Sequence, residues 1–184
     1  MPLFQSPDLA FFPPSLTEKV YYPLGVSALN QAAVPQQNKI LYMPYYVKKN
    51  VVNPTLLIQQ TGSLGNTFKI GIYDGTNGLY GASLLVGDEI ITTATPQIYS
   101  KQVTINLKRG YYILAGLMTT ANSSAIRLAT ANSAREAWGD VDSITSIDNN
   151  HYYNEAGSSL PSTIGTIVRE IVTTNCGANV FIKY

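Results

Sequence analysis

At 184 residues with 45% hydrophobic content, the chain is long enough for one domain with a real core. Only 12% of its residues are charged, about half the usual quarter, and a net charge of +1 gives no electrostatic case for nucleic acid. Cys176 is the single cysteine, which excludes an internal disulfide and a thiolate zinc site, and no apolar run reaches the roughly 18 residues of a membrane span.

Pro2, Pro7, Pro13 and Pro14 rule out helix or central strand over residues 1–16. Phe4, Leu9, Phe11 and Phe12 are nevertheless too apolar for a free tail. The segment therefore reads as an extended arm that docks these side chains on a neighbouring subunit or back on its own domain. Its first residues lack the basic and continuous apolar regions of a signal peptide, so we expect synthesis in the cytoplasm and release only by assembly or lysis.

Residues 17–184 read as one β domain. "TEKVYYP" (17–23) is a short strand stopped by Pro23, and "ILYMPYYVK" (40–48) is a strand in which Pro44 requires an edge or a bulge. Strands follow at 55–60, at 67–74 with Phe68, Ile70 and Ile72 on one face, and at 102–107 with Val103, Ile105 and Leu107 on one face. "GYYILAGLMT" (110–119) is apolar at odd and even positions alike, so it should lie at the centre of a sheet. Further strands are expected within 125–130, 165–173 and 179–184. The one helical signal is "SAREAW", where Ser133 and Glu136 have capping-box spacing before Trp138; Gly139 limits it to about one turn. Many short strands between Gly, Asn, Pro and Ser turns predict an all-β fold, a jelly-roll-type antiparallel β-sandwich.

Four Tyr-Tyr doublets stand at 21–22, 45–46, 111–112 and 152–153. Adjacent strand residues point to opposite faces, so each doublet should send one ring inward and one outward. The outward ring is a cross-strand stacking partner or a contact surface. Lys48-Lys49 and Lys108-Arg109 read as isolated pairs at solvated strand ends.

The stretch from Asn38 to Tyr45, then Gly71 to Gly81, then Gly110 to Ala115 carries a recurring pattern. Here it reads as an Asn-x-Ile-Leu-Tyr-x-Pro-Tyr strand, a Gly-Ile-Tyr strand with an Asn-Gly-x-x-Gly turn, and a closing Gly-x-Tyr-x-Leu-Ala. In this order and spacing it resembles a module common in tailed-phage structural proteins, over residues 38–117. The resemblance implies a virion component, on the tail or fibre or decorating the head, similar to carbohydrate-binding jelly rolls and assembled with other virion proteins. It carries over no catalytic residue. The turn in such modules commonly has Pro before its last Gly; Tyr80 stands there in this chain, and at a hairpin tip it should be exposed. Absence of disulfides and an aromatic-rich surface suit a homo-oligomer, with a trimer favoured.

Catalytic signals are sparse. His151 is the only histidine and sits in "DNNHYYNE", a polar, turn-like run without a nucleophile elbow; no zinc-protease, phosphate-loop or dinucleotide motif is present. Glu136, Asp140, Asp142, Asp148 and Glu155 form an acidic stretch, and a polysaccharide-degrading alternative would use Asp140 or Asp142. The same stretch holds Trp138, Tyr152 and Tyr153, and aromatics beside Asp and Asn suit a sugar-gripping loop. We therefore expect Trp138, His151, Tyr152, Tyr153 and Tyr80 to be glycan or receptor contacts, with no catalytic residue, metal or cofactor. "DGTNG" (74–78) offers a single carboxylate, too few for calcium, and reads as a hairpin turn with Asn77 and Gly78 both at positive φ.

Overall fold

The computed structural model describes residues 20–21, 28–120, 125–130, 151–165, 168–171 and 180–184, with side chains over 34–120, 125–126, 156–165 and 180–184. The arm at 1–16, the helical turn expected at 133–138 and Cys176 lie outside the described residues. Within them the chain forms fourteen strands: β1 (Val20–Tyr21), β2 (Ala28–Ala33), β3 (Lys39–Val47), β4 (Val51–Val52), β5 (Thr55–Gln59), β6 (Thr67–Asp74), β7 (Leu84–Ile91), β8 (Ile98–Gln102), β9 (Asn106–Leu107), β10 (Gly110–Met118), β11 (Ile126–Thr130), β12 (His151–Ala156), β13 (Val168–Ile171) and β14 (Phe181–Lys183). A six-stranded sheet has the order β13-β12-β3-β10-β6-β7, and a four-stranded sheet the order β1-β14-β5-β8. The pairs β2–β11 and β4–β9 complete an all-β architecture whose strand pairings are all antiparallel.

β10 lies between β3 and β6, where its two-sided apolar sequence requires it. Its Leu114 and Met118 join Leu41, Met43, Tyr45 and Val47 of β3 and Phe68, Ile70 and Ile72 of β6. These side chains meet Leu56 and Ile58 of β5 and Ile182 of β14, so the two larger sheets share one inner core. Val103 and Leu107 are buried in it with Ile105 packed beside them, as their alternation predicts, although over 102–107 only Gln102, the end of β8, and Asn106–Leu107 are strand.

The opposite parity of β10, Ile113, Ala115 and Leu117, faces a second cluster with Ile40, Tyr42 and Tyr73. No sheet covers this outer face among the described residues. Its cover is the β6–β7 connection, which contributes Leu79 and Ala82, and residues 157–165, which contribute Leu160 and Ile164. The two covering segments are bonded to each other: Gly81 N–H to Ile164 O at 3.0 Å, Ile164 N–H to Ala82 O at 2.9 Å and Leu84 N–H to Ser162 O at 2.8 Å. The Tyr73 hydroxyl donates to Pro161 O at 2.8 Å and pins residues 157–165, the strap, to the sheet. Gly71 makes this close approach possible, since a Cβ there would stand 2.7 Å from Leu160 Cδ1 and 3.2 Å from Val86 O. Ala115 and Gly87 flank Gly71 in register, so small residues cross three strands beneath Leu160.

Pro44 sits in an interior strand, where an edge or bulge was expected. The physical reason is local: among the described residues β12 pairs with β3 only over Lys39–Tyr42, so at Pro44 one side of the strand is an edge. At the opposite margin of the sheet, β7 carries Asp88 and Glu89, which pair with Lys101 and Lys69; charge on an edge strand discourages added pairing.

One end of the inner core closes on buried polar groups, Gln60, Asn66 and Thr92. Thr92 Oγ1 donates to Gln60 Oε1 and accepts from Asn66 N–H, while Gln60 Nε2 donates to Thr93 O at 2.7 Å and Gly62 O at 3.0 Å. Thr120 Oγ1 donates to Asn66 Oδ1 at 3.2 Å. Replacing Thr92 by Val would remove the donor to the Gln60 carbonyl and an acceptor of the Asn66 N–H. We predict that Thr92→Val costs about 1–3 kcal/mol in urea unfolding, and a loss near zero would show that water or relaxation satisfies both groups.

Candidate functional site

The β6–β7 connection begins with a self-bonded turn. Asp74 Oδ1 accepts from Thr76 N–H at 2.9 Å and from Thr76 Oγ1 at 2.6 Å, and these bonds hold its carboxyl below the ordinary value. Gly78 N–H bonds Gly75 O at 3.1 Å, with Gly78 at φ 93° and Gly81 at φ 76°. Asn77 does not share the positive φ, contrary to the sequence expectation; among the described non-glycine residues only Asn38 and Asn53 take it. A two-residue reversal of type I′ would need both residues left-handed. Here the chain instead runs on to bury Leu79 and Ala82 before β7 begins, so one left-handed glycine suffices at this turn.

Gly75 fastens the loop to β10. Its N–H bonds Tyr111 O at 3.1 Å, and a Cβ would lie 2.9 Å from Tyr112 N and 3.0 Å from Tyr111 O. Further along, Tyr80 is 65% exposed, as its place in the loop predicts.

Two tyrosine doublets face each other through the β3–β10 register, with Tyr111 opposite Tyr46 and Tyr112 opposite Tyr45. The inward rings are Tyr45, fully in the core, and Tyr112, packed against it. Tyr45 OH donates to Tyr184 OH at 3.2 Å, and Tyr112 OH both accepts from and donates to the Lys108 backbone at 3.0 Å. The outward rings, Tyr46 and Tyr111, touch at a tilt, with centroids 4.8 Å apart and planes at 57°. Tyr111 is 49% exposed, so the pair is both a cross-strand contact and a displayed surface. It occupies the end of the outer face that the strap and loop leave uncovered.

The same register corrects the isolation of the basic pairs. Gly110 lies opposite Val47, so Lys108-Arg109 and Lys48-Lys49 emerge at one end of two adjacent strands. Arg109 Nε donates to Tyr46 OH at 2.9 Å, and Arg109 N–H donates to Asn50 Oδ1 at 3.3 Å. Lys49 Nζ lies 6.0 Å from the Tyr184 ring centre. Exposed Thr76 and Asn77 stand on the loop at the β6 side of Tyr111. The assembly offers aromatic rings, the Arg109 guanidinium on one flank, and hydroxyl and amide groups on the other.

His151, Tyr152 and Tyr153 begin β12 rather than a turn, opposite Ile171, Glu170 and Arg169 of β13. Asn149-Asn150 suggested a turn, but pairing with β13 and then with β3 holds the following residues extended. Because Tyr153 lies opposite Tyr42 and the strands are antiparallel, β12 enters the sheet from the end at which Tyr46 leaves it. Trp138, Asp140, Asp142, Phe4, Leu9, Phe11 and Phe12 lie outside the described residues. Tyr46, Tyr111 and Arg109 were not singled out as site residues, though the doublets and basic pairs were the visible signal. No family model, curated protein or solved structure matches the chain.

Two substitutions test the loop. Gly75→Ala should destabilise the fold by about 1–3 kcal/mol in denaturant unfolding, because its methyl meets backbone that cannot yield. Asp74→Ala should weaken the fold at neutral pH only. A carboxyl with a lowered folded-state value contributes stability above its ordinary value and loses it as pH falls through the lowered one. The difference between Asp74→Ala and the unaltered chain should therefore vanish in acid; a gap that persists there would assign the turn's stability to other contacts.

Proposed function

We propose that this chain is a non-enzymatic structural protein of a tailed-phage particle, a jelly-roll-type module on the tail or fibre that touches host-surface glycan. The observation that carries the reading is the Tyr46–Tyr111 ring pair beside a basic strand end, in which Tyr111 is 49% exposed and Tyr46 half-buried. Displayed aromatics anchored on rigid strands are typical of contact surfaces. The tailed-phage motifs supply the frame: Tyr42, Tyr45, Tyr73, Leu114 and Ala115 of the repeated pattern are all buried, so the resemblance concerns architecture. On this reading the partners are other virion proteins, reached through Phe4, Leu9, Phe11 and Phe12 of the arm, and further copies of the chain. A trimer is the favoured assembly; light scattering of the full chain reads the copy number, and a stable monomer contradicts it.

The particle itself gives the direct test. Gold-labelled antibody against the chain should mark the tail or fibre of particles purified from a producing lysate. Label on the head would replace tail contact by capsid decoration, and unlabelled particles would overturn the virion reading. In parallel, host envelope should bind the protein and lose about tenfold in affinity with Tyr111→Ala. Reducing-end release from that envelope would favour a polysaccharide-degrading enzyme instead.

A further inference from the structure

The two larger sheets end at one margin in edge strands, β7 of the six-stranded sheet and β8 of the four-stranded sheet, joined by the Asp88–Lys101 ion pair of 3.2 Å. The two edges are finished differently. Thr92 N–H bonds Asn66 O, so alternate residues of β7 face β6, while Gly87, Glu89 and Ile91 turn their N–H and C=O outward. The Glu89 N–H is taken by Asp88 Oδ1 at 2.8 Å, and Leu84 N–H at the start of the strand bonds Ser162 O at 2.8 Å. With two carboxylates besides, the β7 edge is blunted.

The β8 edge is open. Gln60 N–H bonds Gln97 O and Val103 N–H bonds Pro54 O, each at 3.0 Å, so residues 97, 99, 101 and 103 face β5. Ile98, Ser100 and Gln102 therefore turn N–H and C=O away from the sheet, and among the described residues these groups meet no partner. All three residues are exposed, Ile98 to 57%. No proline interrupts the strand, and Lys101, its one charged residue, is held by Asp88.

We propose that the β8 edge is a contact between two copies of this chain, each β8 pairing antiparallel with the other about a two-fold axis at Ser100. The residues select that register. Ser100 exchanges both backbone bonds with its mate, Ile98 lies opposite the partner's Gln102, and Tyr99 lies opposite the partner's Lys101. Every outward group of β8 is then paired, and no like charges face each other. An axis one residue later would set Lys101 against its own copy; one residue earlier would set Gln102 against Pro96, which has no N–H. Both copies use the same patch, as a closed two-fold requires, and two four-stranded sheets become one. The β7 edges come to the same side of the joined sheet, where Asp88 and Glu89 are already met by Lys101 and Lys69 of their own chain. A strand of unrelated sequence would gain the backbone bonds but none of this register, so a second copy is the occupant. The contact goes beyond the virion reading and does not use the arm: copies gathered in threes by their arms keep β8 free to join such groups in pairs.

Sedimentation equilibrium of the full chain is the test. The mass should correspond to an even number of copies, and Ser100→Pro, which removes the central outward N–H, should halve it. Ser100→Lys and Ser100→Glu should each halve it by setting like charges opposite, and an equal mixture of the two should restore the unaltered mass. Far-ultraviolet circular dichroism should be the same in all three variants, because Ser100 is exposed and its N–H is not bonded to β5. A trimer, a mass that Ser100→Pro leaves unchanged, or a Lys/Glu mixture that stays halved overturns the β8 contact and leaves the virion reading standing. A stable monomer overturns the contact and the trimer together, while labelling of the particle decides the virion reading by itself.

Discussion

A single strand that is apolar on both faces governs this molecule. Ile113, Leu114, Ala115, Leu117 and Met118 of β10 are all buried, which in water requires a cover on each side of the sheet. The inner cover is conventional, a second sheet whose Leu56, Ile58 and Ile182 meet the first across one core. The outer cover is irregular backbone, and irregular backbone must find hydrogen-bond partners of its own when it lies against a protein surface. The β6–β7 loop and the strap at 157–165 solve that by bonding to each other through Gly81, Ala82 and Ile164. Each contributes side chains to the sheet and backbone to its partner.

That arrangement also decides where a surface can be open. Leu160 settles over the small residues Ala115, Gly71 and Gly87, so the cover is seated toward one end of the outer face. Beyond it lie Tyr46 and Tyr111, larger side chains on the same faces of β3 and β10, which touch each other instead of being covered. The loop that covers one end stops at the other: Gly75 is clamped against the Tyr111 backbone, and Thr76 and Asn77 remain exposed. Cover and contact surface are therefore two consequences of one loop path. A substitution that loosened the loop at Gly75 would alter both.

Much of this was legible in the residues. The central position of β10, the shared face of Phe68, Ile70 and Ile72, and the split fates of Tyr45-Tyr46 and Tyr111-Tyr112 all follow from a period of two, which any extended chain obeys. The exposure of Tyr80 followed from its place in a turn. What could not be read locally depended on register between distant segments. Lys48-Lys49 and Lys108-Arg109 looked isolated because some sixty positions separate them, and only the β3–β10 pairing makes them neighbours. Pro44 looked like the mark of an edge strand, but the edge is a matter of where β12 stops pairing. Asn77-Gly78 resembled a two-residue hairpin because the turn chemistry is local, while the need to bury Leu79 and Ala82 is not.

The strap is part of the core and not a surface appendage. Urea unfolding of Ile164→Ala tests it most directly, since Ile164 is 1% exposed and belongs to the outer cluster although it lies outside every strand. One cooperative transition is expected, shifted to lower urea by a loss of about 2–5 kcal/mol, the range for emptying a buried aliphatic site. A midpoint unchanged to within about 0.5 kcal/mol, as for a surface substitution, would contradict it.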